Sequence, residues 1–103
     1  MERIERIKEM LTSSPHDSFL NHALALEFIK AGDDAAAQTL FEQLLEREPG
    51  YVGSYYHLAK LLERNGKEQE AIAVYKKGMH MAKEKGEQHA FGELRSAWEE
   101  LTF

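Results

Sequence analysis

The sequence predicts an all-α fold built from stacked helix hairpins, and three observations predict it. Apolar residues recur at three- and four-residue steps along most of the chain, the spacing that gathers side chains on one helical face. Glycines and prolines punctuate those stretches where helices start and stop. The two prolines, Pro15 and Pro49, lie thirty-four positions apart, and the residues between and beyond them repeat at that interval. Shifting the chain by thirty-four places Leu24 on Leu58, Ala25 on Ala59, Phe28 on Leu62, Gly32 on Gly66, Ala37 on Ala71 and Phe41 on Tyr75. Large meets large, small meets small, and the turn glycines coincide. A fixed period of this length marks a repeat architecture.

The elements follow in order. Ile7, Met10, Leu11 and Pro15 align with Phe41, Leu44, Leu45 and Pro49, so residues 1–14 form a lone second helix of a partial repeat. Residues 15–48 are the first full repeat. Asp17 or Ser18 can accept hydrogen bonds from the free amides that open its first helix. Leu20, Leu24, Ala25, Phe28 and Ala31 make that helix's apolar face, and Gly32 ends it in the left-handed conformation that costs glycine least. Asp33 and Asp34 then favour the positive end of the next helix, whose apolar face is Ala37, Leu40, Phe41, Leu44 and Leu45. Pro49 lacks an amide hydrogen and stops it.

Residues 49–82 repeat the scheme with Tyr55, Leu58, Ala59 and Leu62, a turn at Asn65 and Gly66, then Ala71, Val74, Tyr75, Met79 and Ala82. Lys83 stands where a second closing proline belongs, so this helix is expected to run on until Gly86. In residues 83–103, Ala90, Leu94, Ala97, Trp98 and Leu101 form an amphipathic stripe. The thirty-four shift puts Gly92 and Glu93 on Leu58 and Ala59, and that break reads as a capping helix. The pattern gives about six helices in one domain spanning 1–103.

With Leu24-Ala25, Phe28, Gly32, Ala37, Phe41 and Pro49 in one unit, and Leu58-Ala59, Leu62, Gly66, Ala71 and Tyr75 in the next, the chain resembles the tetratricopeptide repeat family. Asn21 and Tyr55 stand where that family favours tryptophan, Leu44 replaces a small residue, and Lys83 replaces proline. The resemblance implies a right-handed superhelix of antiparallel hairpins and a non-enzymatic module that binds a peptide or protein along its first helices. Some members grip a C-terminal carboxylate with a lysine and asparagines. Here His22 and Leu26 replace the first repeat's lysine and asparagine, and His57 the second repeat's asparagine, so that grip is not carried over.

The small residues have a packing reason. Ala25, Ala59, Ala37 and Ala71 suit points where helix axes approach to about 8–10 Å. Enlarging Ala37 or Ala71 to leucine should cost roughly 1–3 kcal/mol by overpacking.

Helical spacing away from the core stripes picks out the groove face. It comprises Phe19, His22, Ala23, Leu26 and Lys30 in the first repeat, and Gly53, Tyr56, His57, Lys60 and Arg64 in the second. Lys60 and Arg64 could pair with an acidic peptide group. Against that stands the plainer reading that both are solvated and partly neutralised by Glu63. Self-association through the capping helix, with Phe91 and Phe103, or through the apolar first-repeat surface is the alternative, giving a homodimer.

Composition narrows the classes further. The 103-residue chain has no cysteine and 18 acidic against 13 basic residues, a formal charge of −5. Disulfides and thiol chemistry are excluded, and a phosphate backbone would be repelled, so no nucleic-acid partner is expected. No apolar run is long enough to span a membrane, and the start lacks a signal-peptide core. A soluble cytoplasmic protein is expected. The five histidines lack an HExxH or i,i+4 pair, the serines lack a GxSxG elbow, and Gly66-Lys67 follows no phosphate-binding loop. No cofactor, metal or catalytic residue is expected, and the tyrosines read as packing.

Overall fold

The computed structural model describes residues 2–103. Among them are six α-helices and no strand: α1 (Glu2–Ser13), α2 (Ser18–Lys30), α3 (Asp34–Arg47), α4 (Gly53–Arg64), α5 (Glu68–Glu84) and α6 (Gln88–Thr102). They fall into two compact units, Met1–Glu48 and Pro49–Phe103.

In the first unit α2 is sandwiched in sequence and in space, packing on both α1 and α3. Ile4 and Ile7 of α1 meet Leu24 of α2, and Leu11, Leu20, Ala23, Phe28 and Leu40 pack around them. Met10 lies off this stripe and is half exposed. The N-terminal end of α2 is fixed by polar contacts. Asp17, not Ser18, caps it by accepting the Leu20 amide at 2.9 Å, which satisfies one of the donors that a helix start leaves free. The buried Asn21 amide donates to the carbonyls of Pro15 (3.2 Å) and Asp17 (2.9 Å). At the other end Gly32 adopts φ +82°. Its amide reaches the Ile29 carbonyl while the Asp33 amide reaches that of Phe28, the paired bonds of a left-handed helix stop. Asp33 then caps α3 through the Ala36 amide. Ala37, Phe41, Leu44 and Leu45 of α3 are buried, and α3 stops at Arg47, two residues before Pro49.

The second unit packs α4 on α5 and α5 on α6, with a smaller contact between α4 and α6. Tyr55, Leu58, Ala59 and Leu62 are buried as their spacing predicts, and so is Leu61, which lies outside the predicted stripe. The Tyr55 hydroxyl donates to the Pro49 carbonyl at 2.6 Å. Gly66 and Gly86 end α4 and α5 with the same hydrogen-bond pair as Gly32. With lysine in the proline position, α5 extends to 17 residues against 14 in α3. Beyond its end the Lys85 ammonium folds back to the Gly50 carbonyl at 2.9 Å.

Gly78 sits in the middle of α5, buried. A Cβ there would lie 2.7 Å from Cβ of Tyr55 and 3.1 Å from Cδ1 of Leu94. Only a residue without a side chain lets α5 carry Tyr55 and Leu94 so close, which outweighs the roughly 1 kcal/mol that glycine costs inside a helix.

The break in the period at α6 is a change of register. A shift of thirty-six, rather than thirty-four, brings Tyr55, Leu58, Leu61 and Leu62 onto Phe91, Leu94, Ala97 and Trp98. Leu94 and Ala97 are buried, and Phe91 and Trp98 are half-buried. Gly92 and Glu93, aligned with core positions by the shorter shift, are exposed.

Candidate interaction site

The two α4 residues Tyr56 and Lys60 lie one helical turn apart on the face opposite the buried stripe. Together with α6 they line an open pocket of about 620 Å³. Gly92, Ser96 and Ala97 form its α6 floor, and their small side chains leave the volume unfilled. Gln88, His89, Glu93 and Glu100 supply polar groups around it.

The pocket's charges are unevenly compensated. The Lys60 ammonium stands 3.7 Å from a Glu63 carboxylate oxygen and 5.7 Å from the centroid of the Tyr56 ring. Glu63 also accepts a short hydrogen bond from the buried Tyr75 hydroxyl. Burial, then that bond, and then the negative charges of Glu63 and Glu100 push the Tyr75 pKa far above the phenol range, so Tyr75 remains a donor. His89 lies 3.6 Å from Glu93 and offsets it only when its imidazole is protonated. Glu100 has no ion-pair partner among the described residues.

The imidazole of His57 stands edge-on to Tyr56, ring centroids 5.7 Å apart at 89°. Burial pushes the His57 pKa below its ordinary value, and Glu93 opposes that shift. Arg64 is exposed, outside the pocket lining. Gly53 is the exposed first residue of α4.

The other predicted residues belong to the first unit. Phe19 is 70% exposed. His22 packs edge-on against buried Phe41, centroids 5.7 Å apart, and Leu26 is half-buried. Lys30 pairs with Glu27 at 3.3 Å, which also binds Arg3 at 3.1 Å. Ala23 packs against the Ile4–Ile7–Leu24 cluster. It does not belong to an open face, because α1 occupies that side of α2.

Reading α6 in the thirty-four register hid its half of the pocket. In the thirty-six register, Tyr56, His57, Lys60 and Arg64 correspond to Gly92, Glu93, Ser96 and Glu100. The outward-face spacing found on α4 therefore continues onto α6. A second, smaller and mainly apolar pocket of about 310 Å³ lies where α5 meets α6, lined by Ala82, Lys83, Gly86, Glu87, Gln88 and Phe91. Among the described residues no group of three histidine or carboxylate side chains could hold a metal ion. No helix there is long and apolar enough to cross a membrane.

Two hairpins with buried alanines at equivalent positions and equivalent glycine stops define a helical-repeat protein. The tetratricopeptide repeat profile matches residues 22–80, more than half of the chain, and the chain belongs to that family, one of protein-interaction modules. It is similar to a tetratricopeptide repeat domain protein from Salinibacter ruber at 42% identity. The solution structure of that protein covers 85% of this chain and 89% of its own, with a TM-score of 0.82. Its crystal structure covers 84% and 96%, with a TM-score of 0.80. A protein from Bordetella parapertussis shares the fold, at 23% identity over 96% of this chain and 86% of its own and a TM-score of 0.83. No curated protein matches the chain.

Proposed function

We propose that the chain is a non-enzymatic interaction module of the cytoplasm whose α4–α6 pocket holds a peptide segment of a protein partner. The pocket itself carries this reading. Its volume of about 620 Å³ falls in the range of about 300–1,000 Å³ usual for ligand clefts. It sets the Tyr56 ring beside amide, hydroxyl and charged groups, the mixture of aromatic anchor and polar rim found at protein interfaces. Both helices are held by buried contacts to α5, so binding needs no large rearrangement. A single pocket of this size favours modest affinity.

Replacing Tyr56 by alanine tests the assignment. Peptides selected for binding to the wild-type chain should lose about tenfold in affinity or more, since an aromatic anchor is the usual centre of such contacts. Circular dichroism should show unchanged helix content. Equal affinity for both chains would place the binding surface elsewhere.

Self-association is the second reading, favoured by the apolar pocket beside Phe91 and by Phe103, which is 92% exposed at the end of α6. Phe19 offers a comparable exposed aromatic in the first unit. Light scattering over a range of concentrations decides it, and a monomer throughout eliminates the homodimer.

A further inference from the structure

Resting on that reading, we infer that the α4–α6 pocket recognises a basic side chain, arginine or lysine, of its peptide partner, through Glu93, Glu100 and the Tyr56 ring. Lys60 and Arg64 taken alone would favour an acidic ligand.

The balance of charge carries it. Lys60 is the pocket's own cation, but Glu63, outside the pocket lining, stands 3.7 Å from it as a counter-charge. Arg64 does not line the pocket. On the facing wall Glu93 and Glu100 both reach the lining, separated by seven residues and therefore on one side of α6 two turns apart. Glu93 is offset by the His89 and His57 imidazoles only when these are protonated, and among the described residues Glu100 is offset by no ion pair. An acidic ligand would meet two carboxylates across a lysine already engaged. A guanidinium or ammonium would meet two acceptors and an aromatic face, which together favour a cation.

The two α6 carboxylates also act on neighbouring groups, as smaller contributions. Glu100 adds to the burial and the Glu63 hydrogen bond that hold the proton on Tyr75, and Glu93 favours the protonated form of His57 against the larger effect of burial. The chain's formal charge of −5 would also steer a basic segment toward it. Lys60 has a distinct part in this arrangement. Its ammonium lies 5.7 Å from the Tyr56 ring centroid, where the incoming cation would lie, so Lys60 competes with the ligand.

The test uses a randomised seven-residue peptide library selected against the full chain, followed by fluorescence anisotropy with the enriched peptides. Arginine or lysine should be enriched. A Glu93→Gln/Glu100→Gln chain should bind those peptides about tenfold more weakly, and affinity should fall as salt rises. Lys60→Gln should bind them several-fold more tightly, an outcome that simple loss of structure cannot produce. Both glutamates are exposed, so glutamine should leave helix content unchanged. Enrichment of acidic or purely apolar peptides that still depend on Tyr56 would overturn the charge preference and leave the pocket reading standing. So would weaker binding of the basic peptides to Lys60→Gln. If no enriched peptide depends on Tyr56, the pocket reading falls, and this inference with it.

Discussion

In the first unit α2 carries Asn21 and α3 carries Leu44; thirty-four residues on, the same two positions hold Tyr55 in α4 and Gly78 in α5. One hairpin has a small polar residue on its first helix and a large apolar one on its second. The other reverses both. All four residues are buried. In the second unit the reason is explicit, because Gly78 leaves the space that Tyr55 fills. What does not change is the polar task at the first position. Asn21 donates to the Pro15 carbonyl and Tyr55 to the Pro49 carbonyl, so an amide and a phenol each tie the helix to the proline that opens its repeat. The lesson is that size belongs to the pair of positions, whereas the hydrogen-bonding role belongs to the single one.

The largest effect is expected from giving the second hairpin the first hairpin's pair. Tyr55→Asn alone should empty a buried site and cost about 3–5 kcal/mol, as other aromatic truncations do. Gly78→Leu alone should clash with Tyr55 and Leu94 and cost at least about 1–3 kcal/mol. Made together, the two should cost less than their sum by about 0.5–3 kcal/mol, the range for coupled neighbours. Urea denaturation of all four chains gives the cycle, and strict additivity would show that the exchange of sizes is coincidental.

A smaller step is Gly78→Ala. Alanine gains up to about 1 kcal/mol in helix propensity, but its Cβ would sit 2.7 Å from Tyr55. Overpacking of about 1–3 kcal/mol should win, and a raised melting temperature would contradict the close approach. Below that come the two proline ties. Each hydrogen bond is worth about 0.5–1.5 kcal/mol, so Asn21→Ala, which loses two, should lower the denaturation midpoint more than Tyr55→Phe, which loses one.

The smallest effect concerns Ala23 and His57, which share a register position. Burial lowers the pKa of His57 in the folded chain, so the unfolded chain binds the proton more readily. The stability His57 provides is complete above its ordinary value near 6.5. It declines as pH falls through the lowered folded value. The wild-type advantage over His57→Gln in urea midpoint should therefore shrink below about pH 6.5, and the imidazole should titrate below that pH by NMR. An unshrinking advantage would contradict the sign.

Most of the fold was legible because its punctuation is local. Gly32, Gly66 and Gly86 each mark a helix stop that depends on one backbone conformation, and Asp33 and Pro49 act through atoms of their own or the adjacent turn. Gly78 was not legible, since a glycine inside a helical pattern reads as a weakness until the residue it faces is known. Leu61 was missed because the second unit buries more of α4 than a single apolar stripe. On the site, Tyr56 and Lys60 followed from helical spacing along α4, whereas the α6 wall depended on the length of α5. Lys83 in place of proline signalled a longer helix, but the number of added residues, and hence the phase of α6, came only with the structure. The sign of the pocket's charge was hidden for the same reason, because Glu93 and Glu100 had not been placed opposite Lys60.

The contact between Gly78 and Tyr55 also limits how such a chain can exchange parts with another. The matched pair spans two helices joined at Gly66, so a crossover at that turn would separate its members. Joining α4 to a partner like α3 would set a tyrosine against a leucine, and joining α2 to a partner like α5 would set an asparagine against a glycine. Crossovers at Pro15 or Pro49 keep each pair intact. The hairpin that begins at a proline is therefore the smallest piece that carries the Tyr55–Gly78 pair whole, although Gly78 also faces Leu94 of α6.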